Sequence, residues 1–154
     1  MASRSNVSHV EELERLQASV HRAHRLLFRL EETVCSDSGI TPGQRRILER
    51  LVQSGARTVP DLAREEGVSR QHVQVQVNHL LDEGLVRSKP NEAHRRSYLM
   101  QATPSGKKVL TRIRSKEQAV FRELEGPRRG ANTAAQTLDR LTEAIEAWSE
   151  EEQA

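Results

Sequence analysis

Aromatic side chains are nearly absent from this 154-residue chain: one tryptophan, one tyrosine and two phenylalanines, 3% in all. A core built here must therefore be aliphatic. Cysteine is scarcer still. Cys35 stands alone, so no disulfide can form within the chain, which fits a reducing cytoplasm. No apolar run approaches the ~18 residues a membrane span needs, and the opening "MASRSNVSHVEELERL" has no apolar stretch of the signal-peptide kind. A cytoplasmic protein is expected, with no membrane partner. Internal repeats and low-complexity tracts are missing. So are G-x-S-x-G, the P-loop, H-E-x-x-H and G-x-G-x-x-G, so no enzyme chemistry and no cofactor are expected. His21 and His24 share a helix face, and His72 and His79 lie one heptad apart. Neither pair has a cysteine or carboxylate placed to complete a metal site, and none is expected.

What remains is 35% hydrophobic and 30% charged, polar for a globular protein but far from a disordered composition. One modest core can be built, and pairing with a second copy would add burial that a small chain lacks. Net charge is only +2, which permits nucleic acid as a partner without demanding it. The basic excess is local. Residues 40–101 hold ten Lys/Arg against seven Asp/Glu, whereas 1–39 hold five against six and 102–154 nine against nine.

Residues 8–34 show apolar positions at threes and fours (Val10, Leu13, Leu16, Val20, Leu27, Leu30, Val34), which predicts a long amphipathic helix capped by Ser8 with Glu11. Thr41-Pro42-Gly43-Gln44 opens a second helix as cap, proline and capping-box partner, with Ile47, Leu48, Leu51 and Val52 as its stripe. "RTVP" is short and β-prone. "DLAREEGVS" is a short helix closed by Gly67, and Ser69 caps the next, which runs to Gly84. "LVRSKP" and "RRSYLM" flank "NEAH" as a hairpin with a polar tip. Thr103-Pro104 starts a helix to about Glu125, with Val109, Leu110, Ile113, Val120, Phe121 and Leu124 on one face. "GPRRG" breaks it, and Thr133 with Gln136 starts the last. The reading is mainly α with a small β-hairpin wing. A winged helix-turn-helix over 40–102 is flanked by a helix over 1–39 and helices over 103–154.

The helix from residue 70 carries the functional signal. At ~100° per residue, Val73, Val77, Leu80 and Leu81 face one way. Gln71, Val75, Asn78 and His79 face the other, with His72 at the edge, and Gln74 is counted with them as a candidate. Solvent gives no reward for an outward valine among amides and imidazoles. The major groove of DNA does: Gln or Asn can bond adenine N6 and N7 together, and an apolar side chain can meet a thymine methyl. Ser69, Arg70 and the helix's first free N–H groups suit phosphate. At the hairpin, His94, Arg95 and Arg96 could enter a narrow minor groove, where negative potential is enhanced. The rival explanation is a surface of chance polar choices, or one that covers another protein.

The stretch "TPGQRRILERL…TVPDLAREEGVSRQHVQVQVNHLLDEGLVRSKPNEAHRRSYLMQATPSGKKVL" resembles the MarR (multiple antibiotic resistance regulator) family of bacterial transcription factors. The resemblance covers about 41–110 in sequence and rests on Leu62-Ala63, Val68-Ser69-Arg70-Gln71, Gly84-Leu85-Val86, Arg95-Arg96 and Thr103-Pro104-Ser105-Gly106. It implies a homodimer on an inverted-repeat operator in double-stranded DNA, usually a repressor. Ser69 to His79 would read the major groove and Arg95-Arg96 the minor groove, with the terminal helices as dimer interface. Many members carry arginine where Val75 stands and aspartate where His94 stands. The first departure leans the base preference towards A·T; the second removes a carboxylate that would hold an arginine.

The terminal helices are expected to pair two copies through Leu13, Leu16, Val20, Leu138, Leu141, Ile145 and Trp148, setting two recognition helices ~34 Å apart, one turn of DNA. The resemblance also implies room for a small-molecule effector, anionic or aromatic, between winged region and dimer helices, where Arg22, Arg25, Arg45 and Arg46 could meet an anion. Cys35 lies at a helix C-terminus, where the dipole disfavours a thiolate, so redox sensing is not expected. The function expected is a dimeric DNA-binding regulator. The alternative is a winged-helix protein-interaction module without specific DNA binding.

Overall fold

Thr41 begins the central helix for a local reason. Its hydroxyl accepts from Gln44 N–H at 3.2 Å, and the Gln44 side chain accepts from Thr41 N–H at 2.8 Å. Two donors the helix would leave unpaired are thus satisfied. In the computed structural model, which describes residues 2–92, 97–124 and 130–152, the element order is α1 (Ala2–Ser36), α2 (Pro42–Gln53), α3 (Val59–Glu66), α4 (Arg70–Asp82), β1 (Val86–Pro90), β2 (Tyr98–Ala102), α5 (Pro104–Glu123) and α6 (Ala131–Glu151). The chain forms two compact units, residues 1–119 and 120–154.

Within the first unit, the winged helix-turn-helix is built as the periodicities predict. Ile47, Leu48 and Leu51 of α2, Leu62 and Ala63 of α3, and Val73, Val77 and Leu80 of α4 share one aliphatic core with Val34, Cys35, Leu110 and Ile113. Gly67 ends α3 in the left-handed region (φ +64°), and its chain turns directly into Ser69, whose hydroxyl accepts from His72 N–H at 3.1 Å and starts α4. The two strands pair antiparallel, Val86 opposite Ala102 and Pro90 opposite Tyr98. Val86, Met100 and Ala102 face the core. Arg87 and Lys89 alternate onto the exposed face.

Gly106 shows why α5 can lie so close. A Cβ there would run into the Leu85 carbonyl oxygen and approach Leu48 Cδ1 at 3.0 Å. The preceding Thr103 fixes that approach: its hydroxyl donates to Gly84 O at 2.8 Å and accepts from Gly106 N–H at 3.1 Å.

Three expectations change. Ser8 does not cap α1, because Ala2–Val7 contain no glycine or proline and the helix runs through them. Thr133 does not cap α6, which begins two residues earlier behind Gly130 (φ +95°) without a side-chain cap. "RTVP" is not a strand. Arg57 makes one bridge, exchanging backbone hydrogen bonds with Met100 at 3.1 and 2.7 Å, and Val59-Pro60 already belong to α3. Thr58 and Asp61 form the capping box that moves that start forward: Thr58 Oγ1 accepts from Asp61 N–H at 3.3 Å and donates to Asp61 Oδ2 at 2.6 Å.

Candidate nucleic-acid interface

α4 is a two-faced helix. Val73, Val77 and Leu80 are fully buried, while Ser69, Arg70, Gln71, His72, Gln74, Val75, Asn78 and His79 are all exposed. Val75 is 49% exposed on the side away from the core. Every recognition-helix residue named from sequence is therefore solvent-accessible. This set carries one formal charge, Arg70, at the end where the helix N-terminus would favour an anion. Ser69 accepts from the helix backbone and keeps its own hydroxyl hydrogen for a further acceptor.

The three amides of this face are not equivalent. Gln74 Nε2 donates to Asn78 Oδ1 at 2.8 Å, one turn along the helix. Gln71 makes no side-chain hydrogen bond among the described residues. A fourth amide, Gln76, escapes the sequence reading because it sits between the two faces. It is half-buried, accepts from Thr41 Oγ1 at 3.4 Å and lies against Gly43, fixing α4 to the start of α2. Its position next to Val77 is the available signal.

His94, Arg95 and Arg96 lie outside the described residues. The stem of the hairpin supplies two cations that sequence reasoning passes over. Arg87 is held by Gln101 Oε1 at 2.9 and 3.2 Å, and Lys89 is exposed two residues on. Their alternation in "VRSKP" is the signal.

The family is decided by comparison. The family model described as the MarR family matches residues 38–97. An uncharacterized protein of Mycobacterium tuberculosis is 39% identical over 103 residues, 67% of this chain and 71% of that one. The chain belongs to the MarR family. A solved MarR-family transcription regulator is 25% identical, with a TM-score of 0.73 over 94% of this chain and 98% of its own. A mutant MarR from E. coli, solved in complex with operator DNA, shares the fold at 19% identity, with a TM-score of 0.67 over 87% of this chain and 95% of its own. Both similarities cover the winged helix and the helices flanking it, so the MarR fold extends well beyond the matched segment.

Other expected MarR-type features divide. Arg45 is not available to an anionic effector, whereas the side chain of Arg46 stays half-exposed. Arg45 is buried and bonded to Glu117 at 2.7 and 3.0 Å, and Arg46 pairs with Glu31 at 3.6 Å. Arg22 and Arg25 are exposed on α1 and make no ion pair among the described residues. The hollow between α2, α3 and α4, bounded by Gly43, Ile47, Val68 and His72, encloses about 60 Å³. Drug-sized ligands occupy pockets several times larger. Among the described residues no group of three or more His, Cys, Asp or Glu could hold a metal ion, and no helix is long and apolar enough to cross a membrane. Cys35 is buried. That burial pushes its thiol up, against the opposing pull of the nearby Arg45 guanidinium. A thiol so placed is a poor nucleophile.

Proposed function

We propose that this MarR-family protein is a sequence-specific DNA-binding transcription regulator, a repressor that works as a cytoplasmic homodimer on an inverted-repeat operator. The observation that carries the reading is the outer face of α4. Eight residues from Ser69 to His79 are exposed there, uncharged but for Arg70, with Val75 at the centre. An ordinary solvent-facing helix would carry Lys, Glu and Arg in those places. A groove reader needs hydrogen-bonding amides and an apolar contact. Arg87 and Lys89 add positive charge on the exposed face of the wing stem, where phosphates would be met. The operator complex of the E. coli MarR mutant supports the same use of the shared fold.

Dimerisation is supported by what the terminal helices leave uncovered. α6 buries no residue, and its Leu138, Ile145 and Trp148 stay exposed, Trp148 at 62%. Leu141 is half-buried. On α1, Leu13 is exposed and Leu16 and Val20 are half-buried. A second copy is the partner of matching chemistry. Relief by a small anionic or aromatic effector completes the reading, with Arg22, Arg25 and the half-exposed Arg46 as the remaining cationic candidates. Support for that part comes from a fold neighbour, Bordetella bronchiseptica BpsR, whose DNA binding is described as regulated by 6-hydroxynicotinic acid.

In vitro selection from a random duplex pool, with sedimentation of the free protein, tests the proposal. The expected result is an enriched inverted repeat bound by two chains. A monomer that enriches no sequence would replace this reading with the protein-interaction module.

A further inference from the structure

We propose that the outer face of α4 reads an A·T step, with Gln71 on the adenine and Val75 against a thymine 5-methyl group of that pair or the next. The proposal rests on the DNA-reading assignment above and names what that face selects. Three outward amides could recognise adenine, which needs one donor and one acceptor from the same side chain. Gln74 has committed a donor to Asn78, and Asn78 has committed its acceptor to Gln74. Gln71 alone among them keeps both groups uncommitted among the described residues. It stands in the first turn of α4, the end of a recognition helix that reaches base edges.

Val75 lies one turn further along the same face. Residues four apart on a helix sit ~5–6 Å apart at Cβ, within reach of adjacent base pairs. Its isopropyl group is 49% exposed and has no apolar neighbour to cover it on its own helix face, where Gln71, Asn78 and His79 surround it. The major-groove edge of B-DNA offers one exocyclic apolar group, the methyl of thymine. Cytosine, adenine and guanine offer a valine nothing comparable. A valine also cannot bond guanine O6 and N7, so a G·C pair at this position gains no contact from it. Gln71 and Val75 thus favour the same base pair chemistry from two sides.

The test uses the duplex enriched from a random pool and replaces its thymines, one symmetric pair at a time, with deoxyuridine. This removes a methyl and leaves every hydrogen-bonding group in place. Binding by fluorescence anisotropy is expected to weaken at one symmetric pair, by about three- to fivefold per half-site. Val75→Ala should lose that response at the same pair and bind both duplexes alike. Gln71→Ala should instead lose discrimination at the neighbouring adenine. Val75 and Gln71 are exposed, so both variants should melt with the wild type, as circular dichroism would show. A protein that binds its enriched duplex but ignores every deoxyuridine, or whose response survives in Val75→Ala, overturns the A·T assignment and leaves the DNA-reading function standing. A protein that enriches no duplex overturns both.

Discussion

Arg45 is 8% exposed, and its charge is met from two helices. Glu117 of α5 takes two hydrogen bonds from it at 2.7 and 3.0 Å, and Glu49 of α2 takes a third at 3.3 Å. These bonds, those from Glu117 foremost, hold the guanidinium firmly protonated. The arrangement sits where α1, α2 and α5 meet, beside Cys35, and it ties the winged helix-turn-helix to the long helices that flank it. Removing one partner of a buried ion pair is far more damaging than the pair is helpful, because the other charge is left without compensation. Glu117→Ala should therefore lower stability by about 2–3 kcal/mol, below the usual range of roughly 3–5 because Glu49 remains. Urea denaturation measures it as a lower midpoint. A loss under about 0.5 kcal/mol, the ordinary size for a surface change, would mean the pair is solvated and structurally idle. Helical spacing in "GQRRILE" puts Arg45 at the edge of the apolar stripe and Arg46 opposite it, but does not name their partners. Both follow a capping box, and only the fold puts one against Glu117 and the other towards Glu31 at the surface.

At the scale of elements, helix starts carry the most information. The Thr58–Asp61 box gives one of them a pH dependence. The Thr58 hydroxyl bonded to the Asp61 carboxylate holds that group below its ordinary value of 3.8. A carboxyl depressed in the folded state lends stability above the unfolded value, and that stability disappears as pH falls through the folded one. The wild type should lose stability as acid is added below about pH 5, where unfolded aspartate begins to protonate. Asp61→Asn should show a shallower decline over the same interval in thermal melts. An equal decline in both proteins would remove Asp61 from the acid response.

The same starts show what is legible. Thr41 with Gln44, and Ser69 before α4, are readable because the cap, the turn and the apolar stripe agree. Thr58 is missed because "RTVP" resembles a strand, and the capping partner is an aspartate. Ser8 and Thr133 look like caps yet sit inside helices: no glycine or proline stops the chain ahead of Ser8, and the stop before Thr133 is Gly130, so the helix has already begun at Ala131. The two faces of α4 are readable from periodicity alone. The Gln74–Asn78 bond and the placement of Gln76 are only partly so. The four-residue spacing allows the first and the position beside Val77 hints at the second, but rotamers and packing against α2 decide them.

For the whole molecule, the near-balanced charge is the telling quantity. A net charge of +2 spread evenly would attract DNA weakly. Instead the excess falls within residues 40–101, on Arg70, Arg87 and Lys89 among others, and the flanking helices are balanced. On the proposed function, such a protein would hold phosphates locally and discriminate by the face of α4. The exposed apolar residues of α1 and α6 are proposed to serve a different task, joining two such readers so that each would take half of a site. Anisotropy titration of the wild-type protein against its enriched duplex and a scrambled one, repeated over rising salt, tests this most directly. The account predicts tight binding to the enriched duplex that weakens at least about a hundredfold between roughly 50 and 200 mM salt, as release of four or more counterions requires, with the preference over the scrambled duplex kept throughout. Equal affinity for both duplexes at every salt concentration would contradict it.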